Sequence, residues 1–232
     1  MSRLDELSSA KNLIRLGSQY GGWYTPKDLL ISGIRTAVCV GAGEDISYDL
    51  ILSSFSEKVF IFDPTPKACI HVGKAIANLA AGHPVASKPD QFSYNDIHSD
   101  VRKISFMPIG VHEKTDVIKF YPPPQPDYAS YSTENIQNTL NPVDLPVVCP
   151  NDLAKMINDY SPDILKLDIE GAELPFLNSM ISSRLRPALI QVELDFLIQA
   201  HIQEAKRLIN SLEGIGYRHI HQENRNSVFR II

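Results

Sequence analysis

Two short segments hold the residues able to do chemistry. One is Lys166-Leu-Asp-Ile-Glu-Gly-Ala-Glu173, which closes the apolar run beginning at Ile164. Strand alternation places Lys166, Asp168 and Glu170 on one side if the strand continues that far. Carboxylates this close need a cation, a proton or strong hydrogen bonds to offset their repulsion. Such a set can take a proton from a weak nucleophile or border a cationic group. The bland alternative is a pair of capping acids and a surface lysine. The other segment is Thr36-Ala-Val-Cys-Val-Gly-Ala-Gly-Glu-Asp-Ile-Ser47, an apolar run that breaks at Gly41-Ala42-Gly43. Glycine lets a backbone turn sharply and lets a ligand approach the main chain. A helix starting near Asp45 would add N–H groups and a positive dipole end. Such a turn can equally be structural and bind nothing.

A dinucleotide site would use G-x-G-x-x-G. Here the third glycine position is Ile46, and Glu44 and Asp45 put negative charge where a pyrophosphate would lie. Both count against NAD or FAD. S-adenosylmethionine suits the segment better: it has a sulfonium and an amino group and carries no phosphate. Asp63 ends a second apolar run, Val59–Asp63, 20 residues after Gly43. An acid there can accept hydrogen bonds from ribose hydroxyls. The alternative is an acid that meets the dipole of the helix after Thr65-Pro66.

These residues must be held at the carboxyl ends of neighbouring strands in an α/β sheet, where such folds bind ligands. The apolar runs predict strands over 36–41, 59–63, 104–111, 163–168, 188–194, 217–222 and 227–232. Pro108 marks an irregular or edge position in the third. Helical spacing predicts helices over 45–55, over Cys69, Val72, Ile76 and Leu79, from an Asn151 cap through Leu153, Met156, Ile157 and Tyr160, over 172–184 and over 198–213. The turn Glu223–Asn226 is too short for a parallel crossover, so the last strand runs backwards. Residues 2–16 read as a short amphipathic helix, and 17–26, with the only Trp, as a core-capping or lid-like loop. Residues 112–150 hold seven of the sixteen prolines and read as a long ordered insertion or a flexible lid, with an extra strand near 117–121. The domain proper is 36–232, preceded by an N-terminal piece over 1–35.

The chain of 232 residues is 44% hydrophobic and 21% charged, with a net charge of −5. Nothing in that suggests a generic nucleic-acid binder. Cys39, Cys69 and Cys149 show no zinc spacing, and their odd, sparse count fits a reducing compartment. Cys39 and Cys69 read as buried thiols. No apolar leader and no 18-residue apolar run is present, so a cytoplasmic protein without membrane contact is expected.

The chain resembles the FkbM-type family of class I S-adenosylmethionine-dependent methyltransferases. The resemblance rests on Val40-Gly-Ala-Gly43, Phe62-Asp-Pro-Thr-Pro66, Leu165-Lys-Leu-Asp-Ile-Glu-Gly-Ala-Glu173, Ile190-Gln-Val-Glu193 and Tyr20-Gly-Gly-Trp23. It spans roughly residues 17–232. It implies an α/β, Rossmann-like class I methyltransferase fold: a seven-stranded, mostly parallel sheet with a reversed last strand and helices on both faces. It also implies O-methylation of small molecules or glycans. Strand two ends in Asp63 where the family more usually has Glu, which shortens the reach to ribose.

The expected cofactor set is Gly41, Ala42, Gly43, Glu44, Asp63, Pro64, Gly110, Val111 and Asp168. Gly110 and Val111 meet the adenine, and Asp168 borders the methionine end. The catalytic set is Asp168, Glu170 and Glu193. Glu170 and Glu193 face the acceptor, one of them as base or metal ligand, and no dedicated metal site is expected. Glu173, His112, His219 and His221 are further candidates, and His219 and His221 are expected to share one strand face. Two other readings were weighed. A non-catalytic module on the same fold should have lost part of the Gly41, Gly43, Asp63 and Asp168 set. An NAD-dependent oxidoreductase lacks support from Ile46 and from the terminal hairpin.

Overall fold

The computed structural model describes residues 12–125, 130–135, 138–194 and 199–232. It opens with a hairpin, β1 (Leu13–Leu16) and β2 (Trp23–Pro26), paired from Leu16↔Trp23 to Leu13↔Pro26. The helix expected over 2–16 is therefore not found at Leu13–Leu16, and its first part lies outside the described residues. Helix α1 (Lys27–Ser32) leads into β3 (Ile34–Val40), followed by α2 (Ser47–Phe55) and β4 (Ser56–Phe62). Helix α3 (Pro66–Ala80) starts with Pro66 in its first turn, as expected. Its buried stripe is Ala68, Val72 and Ala75. Cys69 flanks that stripe and is only partly buried, unlike the expectation, whereas Cys39 is fully buried.

The run 104–111 is not one strand. It splits at Pro108 into β5 (Ile104–Met107) and β6 (Gly110–Val111), which belong to different sheets. Regular structure continues among the described residues after it. β7 (Asp116–Phe120) and β8 (Val143–Val148) join β6 in a three-stranded sheet of order β6-β8-β7. β8 was missed because Pro142 and Pro146 argue against a strand. Pro146 is tolerated because β6 pairs only with Val147 and Val148, which leaves β8 unpaired on that side at the proline.

The remaining elements are α4 (Pro150–Ile157), β9 (Ile164–Leu167), α5 (Glu173–Ile181), β10 (Leu189–Glu193), α6 (Gln199–Gly214), β11 (Tyr217–Glu223) and β12 (Asn226–Ile231). Cys149, not Asn151, occupies the cap of α4, and the Asn151 side chain accepts from the Arg184 amide instead. The helix stops at a left-handed Asn158, so Tyr160 lies beyond it.

The seven main strands stand in the order β11-β12-β10-β9-β3-β4-β5. β12 is antiparallel to both neighbours, and the β3–β4, β3–β9, β4–β5 and β9–β10 pairings are parallel. The expected reversed last strand is present. Alternation sends Val38, Val40, Leu165, Leu167, Ile190 and Val192 to one face, against Leu153, Phe176, Leu177 and Leu208 of α4, α5 and α6. Ala37, Cys39, Val59 and Ile61 face the other way, against Leu50, Ala68 and Val72 of α2 and α3. Fully burying one such Leu or Phe contributes about 1.5–3 kcal/mol. These two layers fix where the strand ends lie.

His219 and His221 do not share a face. The β11–β12 register slips between them, pairing His219 with Phe229 and His221 with Val228. The bulge turns alternate residues around. His219 stacks on Phe229 at 4.7 Å, whereas His221 meets Tyr24 at 4.3 Å on the opposite side.

Candidate functional site

Parallel register brings four residues into one row. Val40 is paired with both Phe62 and Leu167, and Leu167 with Val192. The next residues along each strand are therefore neighbours: Gly41, Asp63, Asp168 and Glu193. A cavity of about 660 Å³ opens above the row, within the range usual for cofactor sites. Every residue of the expected cofactor set lines it: Gly41, Ala42, Gly43, Glu44, Asp63, Pro64, Gly110, Val111 and Asp168. Glu170 lines it too, and also lines an adjoining recess of about 140 Å³. Glu193 and Glu173 border only that recess, with Arg225. His112, His219 and His221 line neither.

One end of the cavity is apolar. Gly110 sits against Pro64 and Phe120; a Cβ there would come within 3.0 Å of the Pro64 ring and 3.4 Å of the Phe120 ring. Phe120 comes from β7, so the smaller sheet closes this end.

Six amides between Gly41 and Ser47 are engaged within the fold. Gly41 N donates to Phe62 O (2.9 Å), and Asp45 N donates to Ala42 O (3.2 Å). Ala42 N and Gly43 N both donate to Asp63 Oδ2, at 2.9 and 3.0 Å. Ile46 N donates to the Tyr94 hydroxyl (2.9 Å) and Ser47 N to Asp45 Oδ1 (2.8 Å). The free helix N-terminus expected from the sequence is therefore absent at these positions. Glu44 forms an ion pair with Lys88 at 3.1 Å.

The opposite end is acidic. Lys166 is buried, with its Nζ 2.5 Å from Gly41 O and 3.7 Å from Asp168 Oδ2. Burial opposes its charge, but the fields of Asp168 and Asp49 among others outweigh that and raise its pKa. Glu193 is bound by Arg225 at 2.7 Å. Its pKa is nonetheless raised, first by burial and then by the nearby Asp168 carboxylate.

Glu170 occupies the left-handed region at φ 51°, unusual for a side chain of its size. The turn is held by Glu173, whose two oxygens accept from Ile169 N (2.7 Å) and Gly171 N (2.9 Å). Glu173 thus positions Glu170 and does not touch the main cavity. Burial raises the Glu173 pKa to about 7. A carboxyl group whose folded pKa exceeds its unfolded value contributes stability below the unfolded value that is lost as pH rises through the folded one. Between about pH 4.5 and 7 the expected loss is about 3 kcal/mol. Urea unfolding across that window should show the slope in the wild type and a flatter line in Glu173→Gln. Equal slopes would show that Glu173 does not titrate in this way.

Sequence reasoning left Tyr20 without a role. It lines the cavity, and its phenol pKa is raised by partial burial and by Asp168, Glu170 and Glu193. Its loop is pinned by Ser18, which donates from its hydroxyl to Asp45 Oδ2 (2.5 Å) and from its amide to the Ser47 hydroxyl (2.8 Å). The Tyr20-Gly-Gly-Trp23 phrase was the available signal: Trp23 is core, and Tyr20 reaches the site. Among the described residues no group of three or more His, Cys, Asp or Glu side chains is placed to hold a metal ion. Among them, too, no helix is long and apolar enough to cross a membrane.

A seven-stranded sheet of this order, with one reversed strand and a cavity over the first strand's glycine turn, defines a class I methyltransferase fold. A model of the methyltransferase FkbM domain matches residues 41–219, and the chain belongs to that family. Among solved structures it is similar to the methyltransferase FkbM from Methylobacillus flagellatus KT, with 14% identity and a TM-score of 0.47. That match covers 86% of this chain and 44% of the other, so this chain spans less than half of that protein. It is also similar to an rRNA methylase from Streptococcus thermophilus, with 11% identity, a TM-score of 0.43, and 88% and 93% of the two chains covered. No curated protein gives a match.

Proposed function

We propose that the chain is an S-adenosylmethionine-dependent methyltransferase that methylates a hydroxyl of a small molecule or glycan in the cytoplasm. The observation that carries the donor assignment is the glycine turn, in which the amides of Gly41, Ala42, Gly43, Asp45, Ile46 and Ser47 are already engaged. A pyrophosphate would need those amides free. A ligand with an apolar base at one end and positive charge at the other needs none of them. It fits a cavity that runs from Gly110, Val111 and Phe120 to Asp168 and Glu170.

The donor supplies an electrophilic methyl group beside a leaving sulfur. The chain must exclude water, hold the acceptor oxygen in line and receive its proton. Lys166 stands 3.7 Å from Asp168 as its buried counter-charge, and Glu193, its pKa raised by burial and by Asp168, lies next to Asp168 in the row. Glu170 stands between cavity and recess, where an acceptor entering from the recess would meet the donor. Glu170→Gln is expected to lower kcat by about 100-fold while leaving donor-site affinity within about twofold. A collapse of that affinity, or unchanged turnover, would remove Glu170 from this role.

The proposal is tested by equilibrium binding of S-adenosylhomocysteine and NADH to the same protein. Micromolar binding of the first and none of the second is expected; the reverse would make the chain a dinucleotide protein. Transfer of labelled methyl to hydroxyl-bearing acceptors then tests the chemistry.

A further inference from the structure

Asp63 does not stand as a ribose ligand should. Its carboxylate is 5% exposed and its hydrogen-bonding capacity is filled by its own chain. Oδ2 takes the Ala42 and Gly43 amides, and Oδ1 takes the Thr65 amide (2.8 Å) and hydroxyl (2.7 Å). A carboxylate offers about four lone-pair sites. A ribose hydroxyl could bond Asp63 only by displacing one of these donors: three are backbone amides that would be left unpaired at a nearly closed position, and the fourth is the Thr65 hydroxyl, which would give up its bond to a carboxylate.

We infer that Asp63 is a positioning residue that clamps the glycine turn to the start of α3, and that ribose is held here without a charge-assisted hydrogen bond from strand two. The inference rests on the donor reading above. Chain length explains the arrangement. An aspartate at the end of β4 is short enough to stay under the turn and meet the amides of Ala42 and Gly43. One more methylene would carry the carboxylate past them towards the cavity. The neutral groups left near the sugar include the Thr65 hydroxyl, which donates to Asp63 and keeps its lone pairs for a ligand hydroxyl.

The test is calorimetry of the full chain with S-adenosylhomocysteine and with its 2′-deoxy and 3′-deoxy forms. A neutral hydrogen bond is worth up to about tenfold in affinity, whereas one to a carboxylate is worth about 10- to 150-fold. Loss of either hydroxyl is expected to weaken wild-type binding less than about tenfold. A steeper loss for either analogue overturns the inference without any variant. Asp63→Asn should weaken all three ligands by one common factor, because it loosens the turn they share. A variant that loses affinity for S-adenosylhomocysteine but not for the deoxy forms would show Asp63 gripping the sugar. Asp63→Glu should gain discrimination against the deoxy forms, and unchanged discrimination would count against the length argument. If S-adenosylhomocysteine does not bind at all, the donor reading falls and takes this inference with it; steep penalties with tight binding sink the inference alone.

Discussion

Gly41→Ala is expected to leave no stably folded protein, or one weakened by about 4 kcal/mol or more, while Gly43→Ala costs about 1 kcal/mol. Both glycines have positive φ, +84° and +50°. An L side chain pays a penalty of about 1–2 kcal/mol in that region. The positions differ in what surrounds them. A Cβ on Gly41 would be driven into the Asp168 carbonyl oxygen, with the carbonyl carbon at 2.7 Å, whereas nothing lies within 4 Å of one on Gly43. The obstruction at Gly41 is backbone held by the β3–β9 pairing, and it cannot rotate away. Moving it would part Gly41 O from Lys166 and shift Asp168, so donor binding should vanish with stability. Urea unfolding of both variants decides the matter. Equal costs at the two positions would show that the close approach to Asp168 is not what requires the first glycine.

The sheet was legible because its central strands are unbroken apolar runs. Thr36–Val40, Val59–Phe62 and Ile164–Leu167 contribute to both faces of the core, and the residue after each run is the one delivered to the site. That is why Gly41, Asp63 and Asp168 line one cavity with the residues that follow the first two; Gly110 and Val111 reach it from the smaller sheet. Three things lay outside such reasoning. Leu13–Leu16 pairs with Trp23–Pro26 across a turn held by Arg15, which donates to Ser18 O and Gln19 O, and a four-residue run shows no clear period. The bulge between His219 and His221 is a backbone event that side-chain alternation cannot reveal. The role of Asp63 depends on which way a carboxylate turns, and spacing fixes only where its Cα lies. Glu170 and Glu193 both line the recess, and only the structure shows Glu193 paired with Arg225 there.

Lys166→Met should lower stability by about 3–5 kcal/mol at pH 8, and by less at pH 5. The lysine is the buried cation on which the acidic end of the site depends. Its Nζ lies 5.8 Å from the Trp23 ring centroid and donates to Gly41 O, with Asp168 3.7 Å away. Behind it, Asp49 is 2% exposed and its Oδ1 has no hydrogen-bond partner. Burial already raises the Asp49 pKa, and the field of Lys166 is the first force holding it down. Methionine matches the length of the stem but removes the charge, so Asp168 and Asp49 lose their counter-charge and Asp49 binds its proton more tightly when folded. Groups with raised folded pKa values favour the folded state at low pH and lose that contribution as pH rises through those values. The deficit of the variant should therefore grow from pH 5 to pH 8. Adding Asp49→Asn removes one of the stranded charges and should restore about 1–2 kcal/mol at pH 8. Urea unfolding of the single and double variants at both pH values measures each term. A deficit that is independent of pH, or a double variant no more stable than the single one, would mean that Lys166 acts through packing and its bond to Gly41 and not as the counter-charge of the site.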